Sequence, residues 1–287
     1  MADKPEKMAP RTLYLVATPI GNLEDITLRA LRTLKGVDLI ACEDTRQTQK
    51  LLNHYMIVTP TVSYHEHNER ERALQLIEQV EAGASLAVVS DAGTPGISDP
   101  GYRLIEKAVI RGIQVVPLPG ASAFVAALVA SGLPTNEFNF HAFLPAKTGE
   151  RRQLLSSLRD LETTQVFYEA PHRILEALDD VIDILGAQRP VVIARELTKI
   201  HEEFLRGSAA EVLNELKARG PVKGEIVLLI GKGQPGAPQV ARQTIAQRVR
   251  ELMHSESLDE KDALKRAAKE RGIGKSEAYR EYQRTKK

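Results

Sequence analysis

What most constrains this chain is a repeating order. A short apolar run is followed by a turn rich in Gly, Pro and small polar residues, and then by a stretch with helical periodicity. The apolar runs are residues 13–17, 37–41, 85–89, 115–116, 138–143, 164–168, 191–194 and 225–230. Most are continuous rather than alternating, which is the pattern of strands covered on both faces. Helical patterns fill residues 28–34, 69–81, 102–111, 123–130, 150–159, 173–185 and 209–218. Asp99-Pro100 and Gly112 fit the start and stop of the helix beginning at Tyr102. Strand–helix alternation predicts an α/β fold with largely parallel sheets.

At 287 residues the chain is long for one core and comfortable for two domains. The strand beginning near Phe138 follows SGLPTN (131–136), which predicts an N-terminal α/β domain over 1–131 and a second over 132–232. After Ile230 comes GKGQPGAPQ, a Gly/Pro-rich linker, and beyond it three helical stretches at 244–253, 260–271 and 277–283, with Gly272 and Gly274 between the last two. Residues 233–287 are therefore expected to form a linker and a small helical appendix. From Val240 on there are 13 Lys/Arg against 8 Asp/Glu, whereas the rest of the chain has 26 against 30. A basic tail on a slightly acidic body suits either contact with a polyanion or a solvated helical surface. The one cysteine, Cys42, ends an apolar run and reads as a buried, inert thiol. It excludes an intramolecular disulfide and a thiolate metal cluster. The polar start MADKPEKMAPRT has no apolar signal core, and no apolar run approaches the roughly 20 residues that span a bilayer. A cytoplasmic protein with no membrane partner is expected.

Chemistry is expected where turns follow strands, because ligands of open α/β sheets bind beyond the carboxyl ends of strands. Five such segments stand out: TPIGN (18–22), EDTR (43–46), SDAGTPGISDPG (90–101), PLPGASA (117–123) and EAPHR (169–173). Glycine lets the main chain approach a ligand closely and proline fixes its path. Asp91 offers a hydrogen-bond acceptor, and Ser122 with the amides around Ala123 opens a helix. Any one of these is an ordinary turn; five at strand ends predict a pocket suited to a flat, nucleotide-like ligand. A Gly-x-Gly-x-x-Gly fingerprint after the first strand, a phosphate-binding Gly-x-x-x-x-Gly-Lys-Ser/Thr loop and a Gly-x-Ser-x-Gly nucleophile elbow are all missing. His65-Glu66-His67 would place two imidazoles on one face if it lay on a strand, but spacing supplies no third ligand, so no metal is expected. Tyr14 and Phe167 read as wall or core residues.

LYLVATPIGNLEDIT (13–27), CEDTR (42–46), SDAGTPGISDPG (90–101), PLPGASA (117–123), FYEAPHR (167–173), ARELTKIHEE (194–203) and GEIVLLI (224–230) together resemble the tetrapyrrole-methylase (class III methyltransferase) superfamily. Within it they are similar to the bacterial branch that methylates small-subunit (16S) rRNA on a cytidine ribose 2′-oxygen. The resemblance implies two α/β domains with S-adenosylmethionine in the cleft between them, a homodimer, and the decoding-centre cytidine at rRNA position 1402 as target. By position it puts cofactor contacts on Ile20, Asp91, Thr94, Ser122, Ala123, Tyr168, Leu197 and a residue near 221–224, taken as Val222. Tetrapyrrole-making relatives carry a Gly-Pro-Gly-Asp type turn after the first strand. The turn Thr18-Pro19-Ile20-Gly21-Asn22 departs from it and speaks for the rRNA branch.

Methyl transfer to a ribose hydroxyl is chiefly positioning, helped by a general base. Glu169 is the candidate base, beside Tyr168 at a strand end; the alternative is a carboxylate paired with Arg173 one helical turn on. Glu43, Asp44, His172, Arg173, Glu196 and Lys199 are further candidates at the reacting centre. Arg46, His172, Arg173, Lys199, Lys265 and Arg266 are candidate RNA contacts. A same-fold enzyme for a corrin- or porphyrin-like molecule, and a non-catalytic RNA-binding assembly factor, are the competing functions.

Overall fold

The computed structural model describes residues 7–232, 245–256, 258–270 and 274–285. Residues 233–239 of the expected linker, Thr244, Arg271 and Gly272 lie outside these. By internal contacts the chain forms two compact units: residues up to Ala130 together with Arg195–Glu203, and Ser131–Ala194 together with residues from Phe204 on.

In unit 1 the strands β1 (Thr12–Val16), β2 (Leu39–Cys42), β3 (Thr61–Ser63), β4 (Ser85–Val89) and β5 (Gln114–Leu118) form one sheet in the order β3-β2-β4-β1-β5. Every adjacent pair is parallel. The inner strands β1, β2 and β4 are covered on both faces, which is why they read as continuous apolar runs. Leu13, Ala41, Leu86 and Val88 pack against Leu76, Ile77 and Val80 of α3 (Glu69–Glu81) and Leu104 and Ala108 of α4 (Tyr102–Ile110). On the opposite face Tyr14, Val16, Ile40, Cys42, Ala87 and Val89 meet Ala30 and Leu34 of α1 (Leu28–Gly36) and Leu51 and Leu52 of α2 (Thr45–His54). The helix α5 (Ala123–Ser131) completes the unit. Gly112, at φ +64, follows α4 as the sequence predicts, but the residue capping its start is Gly101 rather than Asp99.

In unit 2 the strands β6 (Phe138–Phe143), β7 (Thr164–Glu169), β8 (Pro190–Arg195), β9 (Glu203–Ser208) and β10 (Ile226–Ile230) are ordered β6-β7-β10-β8-β9. Here the expectation of largely parallel pairing needs correcting: β6 and β7 run parallel, but β7 and β10 are antiparallel. The helices α6 (Thr148–Ser157), α7 (Ile174–Leu185) and α8 (Ala209–Arg219) bury Leu155, Val181, Leu213 and Leu216 with Phe167, Ile193 and Leu228 of the sheet. A capping box starts α8: Ser208 Oγ accepts the Glu211 N–H, and Glu211 Oε2 accepts the Ser208 N–H at 2.8 Å. The helices α9 (Ile245–Ser255), α10 (Glu260–Glu270) and α11 (Lys275–Thr285) pack on one another through Val249, Leu252, Ala263, Ala267, Ala278 and Tyr282. No helix among the described residues is long and apolar enough to cross a membrane.

Candidate functional site

The four loops after β2, β4, β1 and β5 follow neighbouring strands of the first sheet, and hydrogen bonds join them. Thr18 and Gly93 exchange backbone bonds, N–H to O at 2.8 and 3.0 Å, so the loops after β1 and β4 are zipped together. The Thr18 hydroxyl adds a bond to the Ser90 carbonyl at 3.1 Å. Thr94 Oγ1 donates to the Ala121 carbonyl at 3.2 Å and ties in the loop after β5. Gly120 of that loop approaches so closely that a Cβ there would stand 2.7 Å from the Ala17 Cβ. The Asp44 N–H donates to Asp91 Oδ1 at 3.1 Å and brings in the loop after β2. Tertiary packing thus converts four separate turns into one bonded rim.

Most of the expected contacts of unit 1 lie on this rim. Ile20 is buried, 3.4 Å from where a Gly93 Cβ would sit. Asp91 is exposed, while Thr94, Ser122 and Ala123 are half-buried, the last two at the start of α5. Leu197 is buried, and its carbonyl would lie 3.1 Å from a Cβ on Gly21. Lys199 is paired with Glu196 at 2.9 Å. Arg46 lies in the first turn of α2, beside the N-cap Asp44, and binds it at 2.8 Å. That contact holds the Asp44 carboxyl down at about 2.

The remaining expected residues belong to unit 2. Tyr168 is half-buried, edge-on to Phe140 at 5.1 Å and Phe143 at 5.7 Å. Val222 packs against the unit's core, and His172 is exposed. Glu169 has a side chain with no exposure; its Oε1 accepts the Ala170 N–H at 2.7 Å and pairs with Arg173 Nη2 at 2.5 Å. The geometry of the paired alternative is therefore present, and it leaves Glu169 Oε2 and Arg173 Nε buried without hydrogen-bond partners among the described residues.

Two features escaped the sequence reading. Asp99, a helix-start signal by sequence, belongs to a carboxylate cluster with Glu43 and Asp91. Burial, then the charge of Glu43, pushes its carboxyl up to about 6, against a hydrogen bond from Ser90. Burial and then Asp91 raise Glu43 in the same way. Its position beyond β4 was the available signal. The other feature is the segment Arg195–Glu203, which belongs to unit 1 although strands of the second sheet flank it. No Gly or Pro marks it.

The histidines 65 and 67 lie in the turn after β3, not on a strand, with ring centroids 6.0 Å apart. Among the described residues no group of three His, Cys, Asp or Glu is placed to hold a metal. Cys42 is buried, its thiol pushed up by desolvation. Tyr14 and Phe167 are core residues. Lys261, Lys265, Arg266, Lys269 and Lys275 are exposed, with Arg266 bound to Glu256 at 2.8 Å; Arg271 lies outside the described residues.

The family model for tetrapyrrole (corrin/porphyrin) methylases matches residues 12–213. A Halalkalibacterium halodurans protein named ribosomal RNA small subunit methyltransferase I is 49% identical over 274 residues, 94% of this chain and 94% of its own. A Synechocystis protein of the same name is 46% identical over 268 residues, 93% and 95% of the two chains. Among solved structures, a diphthine synthase superposes with a TM-score of 0.62 at 16% identity, over 77% of this chain and 90% of its own. A cobalt precorrin-4 methyltransferase gives 0.56 at 16% identity, over 77% and 95%. These structural likenesses carry the fold alone; the model and the close relatives carry more. The chain belongs to the tetrapyrrole methylase family.

Proposed function

We propose that this protein transfers a methyl group from S-adenosylmethionine to the ribose 2′-oxygen of a cytidine in small-subunit rRNA, at the decoding centre. The observation that carries the reading is 49% identity, over 94% of both chains, to a relative named as a small-subunit rRNA methyltransferase. The turn after β1 agrees, since Thr18-Pro19-Ile20-Gly21-Asn22 stands where tetrapyrrole-making relatives have Gly-Pro-Gly-Asp.

The rim suits such a donor. When bound, the donor supplies a methyl group already activated by a sulfonium. Asp91, held by the Asp44 amide, presents a carboxylate to hydroxyl or amino groups. Ser122 and the Ala123 amide, at the start of α5, offer donors to a carboxylate. Glu43, Asp91 and Asp99 give the rim a negative field that favours a cationic ligand. Ile20 and Leu197 supply apolar wall. Glu169 is proposed as the base, and Arg46, His172, Arg173, Lys199, Lys265 and Arg266 as contacts to RNA phosphates.

The test is transfer of tritiated methyl from labelled donor to small subunits of a strain lacking the enzyme, and in parallel to a corrin and a porphyrin. Label in a cytidine ribose is the expected result. Label on a corrin or porphyrin instead would establish the small-molecule reading. Donor binding with transfer to neither would mark a non-catalytic factor.

A further inference from the structure

The segment Arg195–Glu203 is the most strained stretch of backbone near the rim. Glu196 and Thr198 both adopt positive φ, +52° and +67°. For a β-branched residue such as Thr198 this is a conformation the chain adopts only when its surroundings impose it. The surroundings are specific. Glu202 Oε2 accepts the Thr198 N–H at 2.6 Å. The Lys199 N–H binds the Glu196 carbonyl at 3.0 Å, and the Glu202 N–H binds the Lys199 carbonyl at 3.1 Å. Ion pairs join Lys199 to Glu196 and Arg195 to Glu203 at 2.9 and 2.5 Å. The result is a compact, self-bonded strap.

The strap lies directly on the loop after β1. A Cβ on Gly21 would be 2.5 Å from Lys199 Cγ, 2.8 Å from Thr198 Oγ1 and 3.1 Å from the Leu197 carbonyl. Gly21 needs no positive φ, so its requirement for glycine is one of space alone. The loop in turn is zipped to Gly93 beside Ile20. A path of direct contact therefore runs from Glu202 through Thr198 and Gly21 to the donor rim.

We propose that Gly21 and Glu202 are positioning residues: Glu202 locks the strained strap, and the strap, seated on Gly21, sets the place of Ile20 and Leu197 in the donor site. This rests on the proposed donor, S-adenosylmethionine, binding at the rim. The strain is useful there because a strap with no slack fixes a wall that a relaxed loop would leave mobile.

The test measures binding of S-adenosylhomocysteine by calorimetry, with thermal unfolding alongside. The parent protein comes first; no binding by the parent would sink the donor reading itself, before the strap is probed. Given parental binding, Gly21→Ala overpacks the strap contact, and a strain of that size corresponds to about a tenfold weaker Kd. Adding Lys199→Ala removes the atom nearest the new methyl while Thr198 Oγ1 stays at 2.8 Å, and should recover part of the affinity. Glu202→Ala should weaken binding comparably, whereas Glu202→Gln, which keeps an acceptor for the Thr198 N–H, should bind as the parent does. Parental affinity in both Gly21→Ala and Glu202→Ala would overturn the proposal, as would equal loss in Glu202→Gln and Glu202→Ala. If Gly21→Ala does not fold, the two Glu202 variants decide the matter.

Discussion

At the residue scale two carboxylates lend themselves to direct tests. Glu169 is fully buried and bound to Arg173 at 2.5 Å, and only Oε2 lacks a partner among the described residues. Glu169→Gln keeps the shape and removes the charge. If Glu169 is the base, turnover should fall by at least about 10²-fold while donor affinity holds; a normal rate with a lowered unfolding midpoint would leave it as an anchor for Arg173. Asp99 makes a different prediction. Its folded pKa is raised to about 6 from 3.8, so its contribution to stability is present below the lower value and lost as pH rises through the upper one. Asp99→Asn should therefore raise the unfolding midpoint at about pH 7.5, with the gain vanishing near about pH 4. A pH-independent offset would refute the assignment. Asp91 was legible as a site residue because it stands in a Gly/Pro-rich turn. Asp99 stands in the same turn, but its raised carboxyl comes from burial and then from Glu43, which lies more than fifty positions earlier in the chain, and no local pattern reports either.

At the element scale, what the sequence revealed depended on burial. Strands covered on both faces, such as β4 and β10, are fully buried and were visible as apolar runs. The two strands that were not visible, β3 and β9, are outer strands of their sheets. There polar residues, as in TVS and EFLRGS, break the continuous signature, whereas the equally exposed outer strand β6, FNFHAF, keeps it through its aromatic residues. The helix α2, TRQTQKLLNH, was hidden for the same reason, because it buries only Thr48, Leu51 and Leu52. Between α6 and α7 the association is partly ionic. Arg151, with no exposure, binds Asp180 at 2.7 Å and Glu176 at 2.8 Å. Arg151→Met should cost about 3 kcal/mol, since it strips the buried Asp180 of one partner. Changing Asp180 to Leu as well should return part of that loss: apolar packing replaces the Arg151–Asp180 pair at little net cost, while Arg152, which also binds Asp180, keeps only Asp183 at 3.0 Å. Denaturant unfolding of the two variants checks both halves; a double variant as unstable as the single one would contradict the argument.

At the scale of the whole molecule, the two sheets were legible because strand–helix alternation recurs along the chain, whereas the return of Arg195–Glu203 to unit 1 was not, because ARELTKIHEE carries no punctuation and its placement is decided by packing on Gly21. The basic tail was legible as charge. Its three helices close a small core of their own, so the charged residues are left on the outside. Lys261, Lys265 and Lys269 recur every four positions, on one exposed face of α10. That periodicity is what a phosphate-tracking surface requires, and it is also what an ordinary solvated helix has. Changing all three to Ala separates the two, because Ala favours an exposed helix and should leave the tail folded. If the face meets rRNA, small-subunit binding should weaken, and the slope of log K against log salt should become shallower by about 2, from three lost phosphate contacts. Unchanged affinity and an unchanged slope would assign the charge to solvation of the tail. Binding of S-adenosylhomocysteine should be unchanged in either case, so a loss confined to subunit binding would place the tail in substrate capture rather than in the donor rim.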